Sequence, residues 1–207
     1  MRWIWVRHGR TAANVMKRYI GHLDEPLDEV GVDQVDRLAE AFRDFPITRI
    51  YSSDLRRAQA TASAIAQVHQ QNPILTPALR ELNFGDWEGK SYEEIAQGDA
   101  LLLSRWLANP CEIAPPNGER LEELGARFEQ WLRSELGQMQ EEGTYLFVTH
   151  GGPIRWFLSQ YAIPKRSFWD VTVPTHGDSL VLDVICSEEG FRYRVDFMIF
   201  CSGILSE

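Results

Sequence analysis

Cysteine is scarce. Cys111, Cys186 and Cys201 are the only three in 207 residues, odd in number and far apart, which excludes a disulfide framework and a zinc knuckle. A reducing, cytoplasmic setting is the expectation. Long hydrophobic runs are also missing: the apolar N-terminus, Met1 to Val6, stops at Arg7 and His8, far short of a signal-peptide core or a membrane span. It reads as a buried strand, with no membrane partner. Positive charge is in deficit, with 21 Lys and Arg against 30 Asp and Glu and a formal net charge of -9. That field repels polyanions and excludes nonspecific nucleic-acid binding. An anionic ligand would need arginines gathered in one pocket to reverse the sign locally. Repeats, low-complexity tracts and Gly/Ser linkers are absent too, so residues 1–207 read as a single domain. A hydrophobic share of 44% suits an ordinary globular protein. A homodimer is compatible with this composition and not demanded by it.

What is present is a β-then-α rhythm. A strand (Trp3 to Val6) precedes a helix with Val32, Val35, Leu38, Ala39 and Phe42 at helical spacing. Ile47 to Tyr51 forms a second strand, and Ser52, Ser53 and Asp54 suit the N-cap of the next helix, whose apolar face is Leu55, Ala58, Ala62 and Ile65. Ile74, Leu75 and Thr76 offer a third strand. This order implies an α/β fold with a mostly parallel central sheet and helices on both faces. Residues 85–118, punctuated by Pro110, Pro115 and Pro116, break into short helical pieces and read as a cap-like insertion over the active site. A helix over 119–136, the strand Tyr145 to Thr149 and a helix opening at Gly152 and Pro153 restore the rhythm. Ser179 to Cys186 and Phe191 to Phe200, joined by Ser187, Glu188, Glu189 and Gly190, predict an antiparallel hairpin at one edge.

Four constellations carry chemistry. Arg7-His8-Gly9-Arg10-Thr11 follows the first strand, and Thr149-His150-Gly151-Gly152 follows another, so two His-Gly turns occupy equivalent positions where α/β sheets bind ligands. Each glycine lets a ligand approach the backbone, and the helix N-terminus after His150 offers free N–H groups to an anion. Arg56 and Arg57 lie in a helix first turn, where the dipole disfavours cations unless an anion binds there; periodicity does not choose between them. Glu81 follows the third strand in Leu79-Arg80-Glu81 and could serve as a general acid, beside Asp86 and Glu88 in Gly85-Asp86-Trp87-Glu88-Gly89.

Together with Gly21-His22-Leu23-Asp24, Pro26 to Gly31 and Gly118-Glu119, these motifs resemble the histidine phosphatase superfamily, also called the phosphoglycerate mutase-like family, in that family's order over residues 1 to 155. Length and the stretch Asn83 to Gly89 are similar to its alpha-ribazole phosphatase-like and broad-specificity phosphatases. The resemblance implies a phosphoglycerate mutase-like fold and metal-independent hydrolysis of a small phosphorylated metabolite, alpha-ribazole 5'-phosphate among the candidates, with no cofactor. His8 would be the nucleophile, Glu81 the acid and base, and Arg7, Arg57 and His150 the groups holding the phosphoryl oxygens. The Arg57 choice rests on the family's Arg-Ala pairing, here Arg57-Ala58. Asn14, Gly21, His22 and Gly151 would contact substrate.

Two positions depart from the family pattern. Arg10 stands where an acid or glutamine is common and adds positive charge near the pocket, and Ile20 stands where a glutamine often precedes the glycine. His176 reads as a surface-loop histidine outside the catalytic set, and His69 as a surface histidine late in a helix. Trp87 is the one tryptophan assigned a pocket role, whereas Trp106, Trp131, Trp156 and Trp169 read as core. A phosphoglycerate mutase or a silent phospho-ligand binding protein are the competing functions. The first usually needs a longer chain, and the second normally loses a histidine or arginine that is present here.

Overall fold

The computed structural model describes residues 1–161, 165–187 and 190–199. Glu188 and Glu189, at the expected hairpin turn, and Phe200 and Cys201 lie outside the described residues. Six strands form one sheet: β1 (Arg2–Arg7), β2 (Arg49–Ser53), β3 (Ile74–Thr76), β4 (Thr144–Thr149), β5 (Ser179–Ser187) and β6 (Gly190–Ile199), in the order β3-β2-β4-β1-β5-β6. The first four run parallel, while β5 is antiparallel to both β1 and β6. The expected mostly parallel sheet with an antiparallel edge is what forms.

Strand periodicity separates the two faces of that sheet. On β1 and β4, Trp3, Trp5, Tyr145 and Phe147 enter an aromatic core with Phe128 and Phe157, from α5 (Leu121–Leu136) and α6 (Gly151–Tyr161). Ile4, Val6, Leu146 and Val148 enter an aliphatic core on the opposite face, beneath α2 (Glu29–Ala41) and α3 (Arg56–Val68). Both faces are covered. A buried side chain such as Leu or Phe contributes about 1.5–3 kcal/mol, so the strands are held strongly in place beneath the carboxyl edge of the sheet.

Two local expectations needed correction. Val32 is 47% exposed, because the buried stripe of α2 begins at Gly31 and continues through Val35, Leu38 and Ala39. Gly31 abuts the Arg10 backbone, where a Cβ would collide, and this turns the next residue outward. The N-cap of α3 is Leu55, with no side-chain cap. Asp54 is occupied by Arg80 through two bonds of 2.6 Å, and Asp24 from a distant loop accepts the Arg56 N–H at 2.7 Å instead. Within 85–118 the expected short helical pieces are present: a 3-10 turn at Gly85–Trp87, then α4 (Tyr92–Ala108), two helical stretches joined at a non-helical Asp99 and opened by a Ser91–Glu94 capping box. The remaining helix, α1 (Ala12–Val15), is a single turn capped by Thr11.

Candidate active site

The parallel pairing gathers three strand ends. Arg7 lies opposite Thr149, and Ser52 opposite Val148, so His8, Ser53 and His150 emerge side by side at the carboxyl edge. The His8 and His150 rings are 4.9 Å apart and both are buried. His8 Nδ1 lies 2.7 Å from the Gly9 carbonyl, which can only accept, so Nδ1 carries the proton and Nε2 keeps its lone pair. The Thr61 hydroxyl accepts the Gly9 N–H at 3.1 Å and steadies that carbonyl. Burial, then Arg57 and His176, hold the His8 pKa well below its ordinary value. His8 is a neutral, oriented imidazole.

His150 Nε2 hydrogen-bonds with the Ser53 hydroxyl at 2.9 Å, and its Nδ1 is buried without a hydrogen-bond partner. Burial, followed by Arg57 and His8, pushes its pKa well down as well. Of the two arginines that periodicity left open, Arg57 is fully buried and Arg56 is exposed. Arg57 donates to the carbonyls of Leu23 at 2.8 Å and Gly21 at 2.7 Å, leaving Nε buried and unpartnered. Arg7 donates to the Pro174 carbonyl at 3.2 Å and likewise keeps an unpartnered Nε. Buried polar groups are normally satisfied, so unpartnered nitrogens on Arg7, Arg57 and His150 form a site prepared for an anion.

Glu81 faces this group from the N-terminus of α6. Its two carboxyl oxygens each lie 3.0 Å from the Gly152 N–H, and Oε1 also accepts from Leu82 N at 2.8 Å. A Cβ at residue 152 would collide with Glu81 Oε1, so only glycine permits this approach. The Glu81 backbone is fastened by His22 Nε2 at 3.1 Å and by Arg127 Nη2 at 2.8 Å, both donating to its carbonyl. Arg127 is itself paired with Glu119 at 2.7 Å, which explains the Gly118-Glu119 motif.

Two cavities meet at Glu81. One, about 370 Å³, is polar and includes Arg7, His8, Asn14, Glu81 and His176 in its lining. The other, about 230 Å³, is apolar, with Phe84, Trp106, Phe168, Trp169 and Arg155 around it. Asn14 uses its side-chain oxygen to accept from Thr11, which leaves its amide N–H groups for the polar cleft. Gly151 lines the apolar cavity, and Ile20 the polar one. Gly21 and His22 are not brought to either lining: Gly21 gives its carbonyl to Arg57 and its N–H to Glu88 at 2.9 Å, and His22 backs Glu81. Both support the site from behind.

Several readings change. Arg10 lines neither cavity, because it is paired with Asp28 at 2.8 Å and its added charge is thereby balanced. Lys17 and Arg18 line the polar cleft and were not singled out by any motif. Trp87 is buried edge-on against Trp106 at 5.6 Å, away from both cavities; Trp106 is core as expected and also walls the apolar cavity, whereas Trp169 is exposed wall rather than core. The glycine bracket around Trp87 shapes a turn, with φ of +54° at Gly85 and +76° at Gly89. Glu88 is no spare surface acid: its carboxylate accepts backbone N–H groups from Gly21, His22, Leu23 and Phe84. His176 is no surface histidine, since its ring lies 5.2 Å from His8. Its signal was faint, a lone histidine before an edge strand.

Among the described residues no three His, Cys, Asp or Glu side chains are grouped to hold a metal ion, and no helix is long and apolar enough to cross a membrane.

Known proteins resemble this chain over most of its length. An adenosylcobalamin/alpha-ribazole phosphatase of Salmonella typhimurium is 32% identical over 172 residues, 82% of this chain and 85% of that protein. The crystal structure of the alpha-ribazole phosphatase from Shigella flexneri superposes with a TM-score of 0.82 at 30% identity, over 94% of this chain and 95% of the other. A Yersinia pestis protein named probable phosphoglycerate mutase GpmB is 34% identical over 154 residues, 74% of this chain and 71% of its own. The profile of the histidine phosphatase superfamily (branch 1) matches residues 3–192, taking in both His-Gly turns, Arg57 and Glu81, and the chain therefore belongs to that superfamily.

Proposed function

We propose that this histidine phosphatase hydrolyses a small phosphomonoester whose alcohol portion is flat and largely apolar, as in alpha-ribazole 5'-phosphate, through a phosphohistidine on His8. The observation that carries the reading is the group of buried, unpartnered nitrogens on Arg7, Arg57 and His150 around a His8 whose Nε2 lone pair is free. Guanidinium and imidazole N–H groups match the equatorial oxygens of a transferring phosphoryl group and stabilise the charge spread over them.

In the first step His8 Nε2 attacks phosphorus and the bond to the ester oxygen breaks, with protonated Glu81 giving its proton to the leaving alkoxide. In the second step Glu81, now a carboxylate, takes a proton from water as the water oxygen attacks phosphorus and the P–N bond breaks. Neutral His8 and protonated Glu81 return. Asn14 holds a phosphoryl oxygen, and Gly151 lets the alcohol portion pass.

Substrate class follows from what lies beyond Glu81. Trp106, Phe168 and Trp169 offer aromatic surface to the leaving group, and residues 85–118 act as the cap that selects it. The relatives named alpha-ribazole phosphatases fit such a substrate. A mutase substrate would bring a second anion into this cavity, where Arg155 already donates to the carbonyls of Trp169 and Val171 at 3.2 and 2.8 Å. The reading is of one domain acting in the cytoplasm, a setting that suits the free thiol of Cys111.

The test is a panel of alpha-ribazole 5'-phosphate, phosphoserine, 3-phosphoglycerate and p-nitrophenyl phosphate, ranked by kcat/KM with and without EDTA. The expected result is a clear preference for alpha-ribazole 5'-phosphate, unaffected by EDTA. Interconversion of phosphoglycerates with negligible phosphate release would overturn the hydrolase reading, and activity abolished by EDTA would overturn the metal-free mechanism.

A further inference from the structure

We infer that His176 is a third histidine of the phosphoryl site, binding an oxygen of the transferred group through a ring N–H while its ring backs His8. The inference rests on the proposed reaction and adds a residue to it.

Its placement is built rather than incidental. His176 sits in the loop before β5, and that loop is stitched to the His8 segment from several directions. The Gly177 N–H donates to the carbonyls of both Arg7 and His8, at 3.1 and 3.0 Å, and the Arg7 N–H donates to the Asp178 carbonyl at 3.1 Å. Arg7 Nη1 reaches the Pro174 carbonyl, and Thr175 donates to the Asp178 carboxylate. Gly177 has a φ of +75°, and a Cβ there would lie 2.6 Å from Gln34, so the turn has little freedom to move aside. The loop thus delivers the ring of His176 to 5.2 Å from the ring of His8, in the wall of the polar cleft beside Arg7 and Glu81.

A histidine kept for packing would spend its polar atoms on its neighbours. His176 Nε2 is instead buried with no hydrogen-bond partner, as is Arg7 Nε in the same cleft; Arg57 Nε and His150 Nδ1, which line neither cavity but lie close to His8, are unpartnered too. The charged groups around it are Arg7, Arg57 and the ion-paired Arg10 and Asp28, with the Glu81 carboxyl lining the same cleft and neutral His8 alongside. Burial and these cations push its pKa down to about 3, so it is uncharged in the free protein. A bound phosphoryl dianion offsets the arginines and favours the imidazolium. Binding is therefore accompanied by proton uptake from solvent, and product release by its return.

The experiment compares wild type with His176→Phe, which keeps a ring without nitrogen, and His176→Asn, which restores an N–H without a titrating group. Inorganic phosphate is titrated calorimetrically at neutral pH in two buffers of different ionisation enthalpy, and steady-state kinetics and melting temperature are measured alongside. Phosphate affinity should fall about 10-fold or more in His176→Phe and largely recover in His176→Asn, with proton uptake reduced in both, as expected for loss of a charge-assisted hydrogen bond. Unchanged affinity and proton uptake in His176→Phe would overturn the inference. So would equal losses in both variants accompanied by lowered melting temperatures, which would make His176 a packing residue. A wild type that neither binds phosphate nor forms a phosphoenzyme would sink the proposed reaction itself, whereas a normal wild type with an indifferent His176→Phe would sink only this role.

Discussion

In the proposed reaction His8 has to be an uncharged nucleophile in a site crowded with cations, and the same crowding secures that state. Burial, Arg57 and His176 all disfavour its protonation, so its pKa lies well below the ordinary value of 6.5. Because the reactive form is the deprotonated one, kcat/KM should hold as pH falls through 6.5 and decline only at more acidic pH, once the substrate's own ionisation is allowed for. An acid limb centred on 6.5 in a pH–rate profile would contradict this. Stability has its own sign. Above 6.5 these histidines are neutral in both folded and unfolded chains; below it the unfolded chain takes up protons that folded His8, His150 and His176 resist. The unliganded protein should therefore lose stability progressively as pH falls from 6.5 toward about 3, the folded value for His176. Denaturant titrations across that window check it. At Glu81 the expectation is kinetic: Glu81→Gln should lower kcat by about 10²–10⁴-fold with little change in phosphate affinity, since a general acid acts in the transition state. Normal turnover of that variant would require another acid, and Glu88 is poorly suited, being occupied by backbone N–H groups.

At the scale of elements, two connections decide whether the site exists. The first is the α6 N-terminus, where Gly152 allows the Glu81 carboxylate to sit on the helix. Gly152→Ala should displace that carboxylate and cost about 10²-fold in kcat, the scale of a 1 Å misplacement, while phosphate binding survives. Single-turnover kinetics and phosphate titration separate the two. The second is loop 21–23, whose carbonyls hold Arg57 and whose N–H groups are all accepted by Glu88. Glu88→Ala would leave several backbone donors unpaired and release the support under Arg57. A loss of about 2–3 kcal/mol in unfolding free energy together with a raised KM is expected; a raised KM alone, with stability intact, would argue that the loop holds itself.

For the whole molecule, the net charge of -9 and the basic cleft act at different ranges. Charges beyond about 10 Å are screened at about 0.1 M salt, so the acidic exterior offers no long-range attraction and the arginines work only at contact. Raising ionic strength should leave kcat/KM for a small phosphomonoester level or slightly higher. A steep fall with salt would mean that electrostatic steering governs capture.

The sequence by itself determined the strand and helix order, because periods of two and 3.6 are properties of a local stretch of chain, and it marked both His-Gly turns, because turns after strands meet at one edge of a parallel sheet. Glu81 was legible only through its motif, since a single carboxylate has no local signature. Arg57 and Arg56 were indistinguishable by pattern; burial against the loop at Gly21 and Leu23 separates them. Trp87, Trp106 and Trp169 could not be sorted into core and cavity wall until α4 had packed against α5 and the 168–170 turn. His176 was out of reach for the same reason. Its neighbours lie some 170 residues away in sequence, and the antiparallel pairing of β5 with β1, which no local periodicity encodes, is what sets it against His8.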